Sequence, residues 1–410
     1  MKDPADGTQT ETELDGRIDP ESGLPILAMP REGMPPLVDD DALLAECIEA
    51  LGSGTGPVAI DTERAQSFRY SGRAYLLQLR RSDAGTWLID PQAFEPGDGS
   101  VADLGALREA IIDAEWIIHA ASSDLPCLVE LGLLPERLFD TELAGRLLGL
   151  PRVGLGPMTE SYFGVHLLKE HSAADWSKRP LPADWVAYAA LDVELLIELR
   201  ALLWRQLHEE GKWAWAQQEF AHMIDSHRTP PDPPAEPWRH VNGLHTVHSR
   251  RGLALVREIW GERDRLAHDL DRAPGKILPD KAISELAGRI TKESPEVPGM
   301  AQMDTIVGFK RRNARRYRGR WVAAATRVAR MPESELPRLR VPHEGPSHQP
   351  RNWQRTNPDA WRRWQRVRPA MNRLAKALQV PPENLIAPET LRWLAWEPLE
   401  AVDAEHAAAR

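Results

Sequence analysis

Apolar and polar residues are arranged in two different rhythms along the 410 residues of this chain. Between 58 and 120 apolar residues gather in short β-like runs at 58–63, 74–79, 86–89 and 116–120. Runs of that length suit strands. Helical spacing surrounds them. Leu43, Leu44, Cys47 and Ile48 follow Asp41, which can cap a helix, and 101–113 repeats the pattern. From Pro182 the spacing is helical to about Phe220. Consecutive short strands followed by alternating helix and strand predict an α/β domain, a mixed sheet flanked by helices.

Beyond the proline-rich segment 229–237 no strand pattern returns, and the rest of the chain predicts two all-α helical domains. They are an internal repeat. Arg265, Leu266, Ala267, Leu270 and Pro274 recur as Arg373, Leu374, Ala375, Leu378 and Pro382, and Leu286-Ala287 as Leu394-Ala395, all at an offset of 108 without a gap. Apolar faces that coincide in this way are what a duplicated helical module requires. The expected division is a disordered acidic leader at 1–36, the α/β domain at 37–228 and a linker at 229–237. Helical domains follow at 238–300 and 301–400, the second carrying a proline-rich insertion at 332–358, and a tail at 401–410.

Charge divides the chain along the same line. Residues 1–225 hold 18 basic and 39 acidic side chains, whereas 226–410 hold 33 and 22, so a net charge of -10 hides an acidic half and a basic one. The acidic half can gather carboxylates around cations and the basic half can meet a polyanion. No apolar run approaches a membrane span and the first thirty residues carry no signal region, which predicts a cytoplasmic protein with no membrane partner. Cys47 and Cys127 are the only cysteines, so a disulfide scaffold and a cysteine-rich zinc site are both excluded.

The chemistry lies in separated acids. Asp61 and Glu63 end the first apolar run two residues apart, a spacing that points both side chains to one face of a strand. Two carboxylates held together repel unless a divalent ion lies between them, although a solvated strand edge also accommodates them. Asp124 follows the run 116–120 through Ala121, Ser122 and Ser123, small residues that allow a tight turn, and it can equally cap the next helix. Asp140 in Phe139-Asp140-Thr141-Glu142 has the same capping role or supports the site from behind. Tyr188 and Asp192 stand four apart and share a helix face, where a core tyrosine beside a surface acid is the plainer reading.

Taken in order, these segments resemble ribonuclease D, a DEDDy-type 3′–5′ exonuclease family of RNase H-like fold. The resemblance is carried by Ile60-Asp61-Thr62-Glu63 with Leu77-Gln78-Leu79, by His119 to Leu125, by Phe139 to Ala144, by Asp175 to Leu181 and by Tyr188 to Val193. It implies that Asp61, Glu63, Asp124 and Asp192 ligate two divalent ions, Mg²⁺ or Mn²⁺, and that Tyr188 positions the attacking water. It also implies hydrolysis of the 3′-terminal phosphodiester of RNA, such as a tRNA precursor, to nucleoside 5′-monophosphates. The helical repeats resemble two HRDC domains, a nucleic-acid-binding module; the second copy matches more loosely. A 3′–5′ DNA exonuclease and a non-catalytic nucleic-acid-binding scaffold are the alternative readings.

A partner surface is written in the basic half. Lys310, Arg311, Arg312, Arg315, Arg316, Arg318, Arg320, Arg327 and Arg330 fall within twenty-one residues that contain no acid, with Tyr317 and Trp321 among them. Arg362, Arg363, Arg366 and Arg368 repeat the theme beside Trp361 and Trp364. Guanidinium groups match phosphate and aromatic faces stack on single-stranded bases, without selecting RNA over DNA; the resemblance implies that the partner is a single-stranded 3′ tail on structured RNA, and a monomer is expected to bind it. Docking against the acidic half would also use these charges. Lys169 and Arg179 are further candidates to steady phosphates, or simply surface ion pairs.

Overall fold

The computed structural model describes residues 16–168, 171, 173–229, 231–340, 345–347 and 349–397. Eight strands are present among them: β1 Ile26–Leu27, β2 Leu37–Val38, β3 Val58–Arg64, β4 Ala74–Arg81, β5 Gly85–Ile89, β6 Trp116–Ile118, β7 Leu138–Asp140 and β8 His166–Leu167. Six form one mixed sheet in the order β2-β5-β4-β3-β6-β7, and β1 pairs with β8 separately. β4 runs antiparallel to β3 and β5, and the remaining neighbours are parallel. Every residue of β4 is buried, because helices cover both faces.

The Ala183–Glu194 helix lies across β3, β4 and β5. Its fully buried Ala189 and Ala190 bring the helix backbone close to the sheet, which sets Asp192 beside the end of β3. The first helix, Asp41–Ser53, is capped by Asp40, whose side chain accepts from the Leu43 amide, one residue earlier than expected.

The disordered leader does not extend to residue 36. Residues 1–15 lie outside the described residues, but β1 buries Leu27 against β8 and β2 completes the sheet edge. Arg31 donates to Glu194 at 2.7 Å and Glu32 accepts from Arg80 at 2.8 Å, so this segment supplies partners to charged groups in the domain interior. Strands of two residues are too short for any periodicity to reveal.

The repeat is visible in three dimensions at the same offset of 108. Helices Arg250–Asp269, Pro274–Ile277 and Asp280–Gly288 return as Pro358–Leu378, Pro382–Leu385 and Pro388–Trp396. Ser249 and Asn357, also 108 apart, cap the two long helices by accepting from the Gly252 and Ala360 amides.

The expected boundary at 300 is displaced. Met303, Ile306, Phe309 and the Trp321, Ala324 and Val328 face of the Arg318–Arg330 helix all join the core of the first helical unit. Leu336, within the expected insertion, is buried there too, and Arg250 donates to the carbonyls of Glu333 and Leu336. Trp353 then starts the second unit's core with Ala360 and Ala395. Residues 341–344 and 348 of the insertion and the tail 401–410 lie outside the described residues.

Candidate active site

β3 delivers Asp61 and Glu63 to one face, and its antiparallel register sets Asp61 opposite Gln78 and Glu63 opposite Leu76. From the helix above, Asp192 completes a group in which one carboxylate oxygen from each of Asp61, Glu63 and Asp192 lies within 4.8 Å of the others. Glu63 is buried, and Asp61 and Asp192 are partly exposed. Burial is the main cause that raises the Asp61 carboxyl well above the usual range, reinforced by the charges of Asp124, Asp192 and Glu63. Glu63 is pushed up to about 9, first by burial and then by Asp192 and Asp124. Such a group is stable as a set of anions only when a cation accompanies it.

Asp124 adjoins the three without joining their group. β6 ends at Ile118; Ala120 beyond it takes a left-handed conformation (φ 60°), and a single 3₁₀ turn through Ala121–Ser123 leads into Asp124. This is the tight turn that the small residues anticipated. Asp124 occupies the cap position of the Leu125–Glu130 helix, yet its side chain makes no capping bond. It accepts instead from Thr62 Oγ1 at 2.5 Å and lies 3.9 Å from Arg64 Nη2. Burial pushes its carboxyl up to about 6, against the lowering effect of Thr62 and Arg64. Arg64 also donates to the Ser123 carbonyl, so one side chain ties the end of β3 to the turn that carries Asp124.

Asp140 both caps and supports. It accepts from the amides of Glu142 and Leu143 at the helix start, and from Ala120 and Ala121 at 3.1 and 2.9 Å, bracing the turn before Asp124. Tyr188 is buried one turn before Asp192, with the Trp176 ring 6.4 Å away and His171 edge-on at 5.7 Å. A polar cavity of about 170 Å³ opens beside Glu63, lined by Thr62 to Ser67 and by Ala173 and Ala174.

Sequence reasoning missed Thr62, Arg64 and His171. The first two stand within the Asp61-Thr62-Glu63-Arg64 string, where the only nearby cation beside two acids was the available signal; His171 had none. In the sequence Gln78 is only one member of the Leu77-Gln78-Leu79 motif. It is fully buried, and among the described residues neither of its amide atoms has a partner.

The basic candidates separate. Arg179 is a structural residue: it holds buried Asp90 through two bonds of 2.5 Å and donates to the carbonyls of Tyr75 and Trp176, which corrects the phosphate role expected for it. Arg363 donates to the carbonyls of Ala395 and Trp396 at the end of the last helix, and Arg362 pairs with Asp359. Arg318 and Arg320 lie 3.8 Å from Asp304 and Glu262. Arg311, Arg312, Arg315 and Arg316 are exposed, and no ion pair forms on them among the described residues. Lys169 lies outside the described residues.

Comparison with known proteins agrees with this architecture. Residues 35–208 match a family model described as 3′–5′ exonuclease, and 345–410 match one described as 3′ to 5′ exonuclease C-terminal domain. A ribonuclease D of Gluconacetobacter diazotrophicus is 32% identical over 298 residues, covering 72% of this chain and 72% of its own. A ribonuclease D of Pseudomonas paraeruginosa is 29% identical, covering 73% of this chain and 76% of its own. A crystal structure of a protein from Bifidobacterium adolescentis superposes with a TM-score of 0.80 at 39% identity, over 92% of both chains. The structure of Escherichia coli RNase D shares the fold, with a TM-score of 0.63 at 22% identity, over 90% of this chain and 93% of that one. An RNase H-like exonuclease domain followed by helical units, joined to this degree of relatedness, leads to one conclusion: the chain belongs to the ribonuclease D family of 3′–5′ exoribonucleases.

Proposed function

We propose that Asp61, Glu63, Asp192 and Asp124 hold two divalent ions, Mg²⁺ or Mn²⁺, and that the chain removes nucleotides from single-stranded 3′ tails of structured RNA, tRNA precursors among them, as nucleoside 5′-monophosphates. The observation that carries this reading is the convergence of three carboxylate oxygens within 4.8 Å, all from acids, with a fourth acid adjoining. An all-oxygen donor set suits hard cations, and the raised carboxyls and the orphaned amide of Gln78 opposite Asp61 mark a site built for more than protein atoms. Such ions, when bound, neutralise the acids, activate water and stabilise charge on the phosphate.

The chain's own residues do the rest. Thr62 and Arg64 hold Asp124 at the rim, Asp140 fixes the turn beneath it, and Tyr188, clamped between Trp176 and His171, directs the water toward the phosphorus. The helical copies correspond to HRDC domains; their repeated caps and helix bounds support that assignment. RNA as substrate is supported by the relatives' name and by the Escherichia coli enzyme, an exoribonuclease involved in structured RNA processing.

The deciding experiment follows products from one defined 3′-extended RNA, and from the DNA of the same sequence, with Mg²⁺ and with Mn²⁺. Nucleoside 5′-monophosphates from RNA, absent with Asp61→Ala although that variant still binds RNA, are expected. Preference for DNA overturns the substrate, and no product from wild type with either metal makes the protein a binding scaffold.

A further inference from the structure

Beside the acid cluster the wall of the cavity continues into a second, larger one between the two halves of the molecule. Ser67 and Ala174 line the first, and their chain neighbours Phe68 and Asp175 line the second, a cleft of about 490 Å³ closed on its far side by Leu270, Asp271, Arg272 and Lys276 of the first helical unit. That volume is enough for one or two nucleotides. Its far wall is fixed to its near wall. Ala273 donates to the Phe68 carbonyl at 3.0 Å, Asp271 accepts from the Tyr70 and Ser71 amides at 3.2 Å, and the Lys276 ammonium sits 4.9 Å from the Phe68 ring centroid.

From Lys276 the surface leads on to the basic segment. Asn313 donates to the Lys276 carbonyl at 2.8 Å, which seats the short Arg312–Arg316 helix against the cleft. The basic run seen in the sequence divides here. Its later members Arg318, Arg320 and Arg327 face Asp304, Glu258 and Glu262 and are neutralised within the fold. Its earlier members, Lys310 to Arg316, are exposed with no ion pair among the described residues, as are Arg272 and Lys276. Asp175 and Asp271 are the acids of the cleft; Asp271 is engaged by Arg69 at 3.7 Å and by the two amides. A row of uncompensated cations ending at an acid cluster is self-repelling unless a polyanion lies along it.

We propose that this cleft and the Lys310–Arg316 surface form a track for the RNA strand 5′ of the scissile nucleotide: Arg272 and Lys276 hold the phosphates nearest the site, Phe68 offers a face to a base, and Arg312, Arg315 and Arg316 hold phosphates further out. The proposal rests on the reading of the acid cluster as the hydrolytic site. It assigns strand binding to the exonuclease domain and first helical unit jointly, with the second unit outside the track.

The test measures hydrolysis of RNAs of increasing length, from a dinucleotide to a 12-mer, by the full-length protein and by Arg272→Ala/Lys276→Ala and Arg315→Ala/Arg316→Ala variants. The defect is expected to grow with length: at least tenfold in KM on the 12-mer for the first pair, and for the second pair a defect seen only on the longer strands. Because each variant removes two phosphate-binding cations, the dependence of log KM on log salt flattens by about 1.4, at about 0.7 per contact on a single strand. All four side chains are exposed, so the variants stay folded, Lys276→Ala giving up only its contact with the Phe68 ring; circular dichroism and melting check this. Equal KM and equal salt slope for wild type and both variants on the 12-mer overturn the track while leaving the hydrolytic site in place. Absence of hydrolysis at every length by wild type overturns the site and the track together.

Discussion

Asp271 and Gln379 occupy the same position in the two helical copies, 108 residues apart, and both have left-handed backbone, with φ of 41° and 54°. Each follows the long helix of its copy and each meets the exonuclease domain. Asp271 binds the Tyr70 and Ser71 amides, while the Gln379 carbonyl packs against Gly149 so closely that a Cβ there would lie 2.1 Å from it. The duplicated module therefore docks twice through one structural element on two different surfaces.

Gly149→Ala follows directly from that contact. The clash is with backbone, and Gly149 itself has φ of +71°, which costs an alanine about 1–2 kcal/mol before any clash. The second helical unit is expected to detach while the exonuclease domain stays folded. Small-angle scattering checks it through a larger radius of gyration; an unchanged radius contradicts the docking.

Arg179→Ala is expected to destabilise the exonuclease domain by about 3 kcal/mol, because it strands the buried Asp90 carboxylate. Arg179→Lys recovers little, since an ammonium cannot reproduce the forked pair. The salt dependence of RNA binding by the folded fraction should match wild type. Thermal melting beside a salt titration separates this from a phosphate contact, for which the slope would flatten instead.

The site was legible where its geometry is local. Asp61 and Glu63 share a face because strand side chains alternate, and Tyr188 and Asp192 share one because helices repeat every 3.6 residues. The 108-residue offset survived into the helix bounds because both copies bury the same positions. What stayed hidden depends on partners distant in the chain. Nothing local says that Asp124 bonds Thr62 across 62 residues, that Arg179 answers Asp90, or that Arg320 faces Glu262 while Arg316 does not. Residues 26–38 misled for another reason: two-residue strands amid prolines carry no period, and nothing local says that Glu32, their one acid, accepts from buried Arg80.

Tyr188→Phe isolates the hydroxyl. Trp176 and His171 contact the ring, so phenylalanine preserves the packing and the melting temperature. If the hydroxyl orients water, kcat falls about 10²-fold with KM within twofold, and Tyr188→Ala lowers kcat no further. A Tyr188→Phe enzyme with wild-type kcat would confine the tyrosine to packing.

Metal and pH act on one set of groups, and the sign of their effect is fixed by the direction of the shifts. Burial and mutual repulsion raise the carboxyls of Asp61 and Glu63, the latter to about 9, and burial raises Asp124 to about 6; in the unfolded chain such groups titrate near 4. Between those limits the metal-free folded protein holds more protons than the unfolded chain, so its stability falls as pH rises from about 5 to 9. A divalent ion replaces those protons and levels the profile, and its binding near neutral pH releases protons to the buffer. Glu63→Gln removes one of the raised groups and flattens the metal-free slope. Melting curves of the full-length protein in chelator and in millimolar Mg²⁺ or Mn²⁺, taken across this pH range, measure all of these effects. A metal-free melting temperature that rises with pH would mean that the acids are ionised and compensated by the protein alone, and that the cluster has no need of a cation.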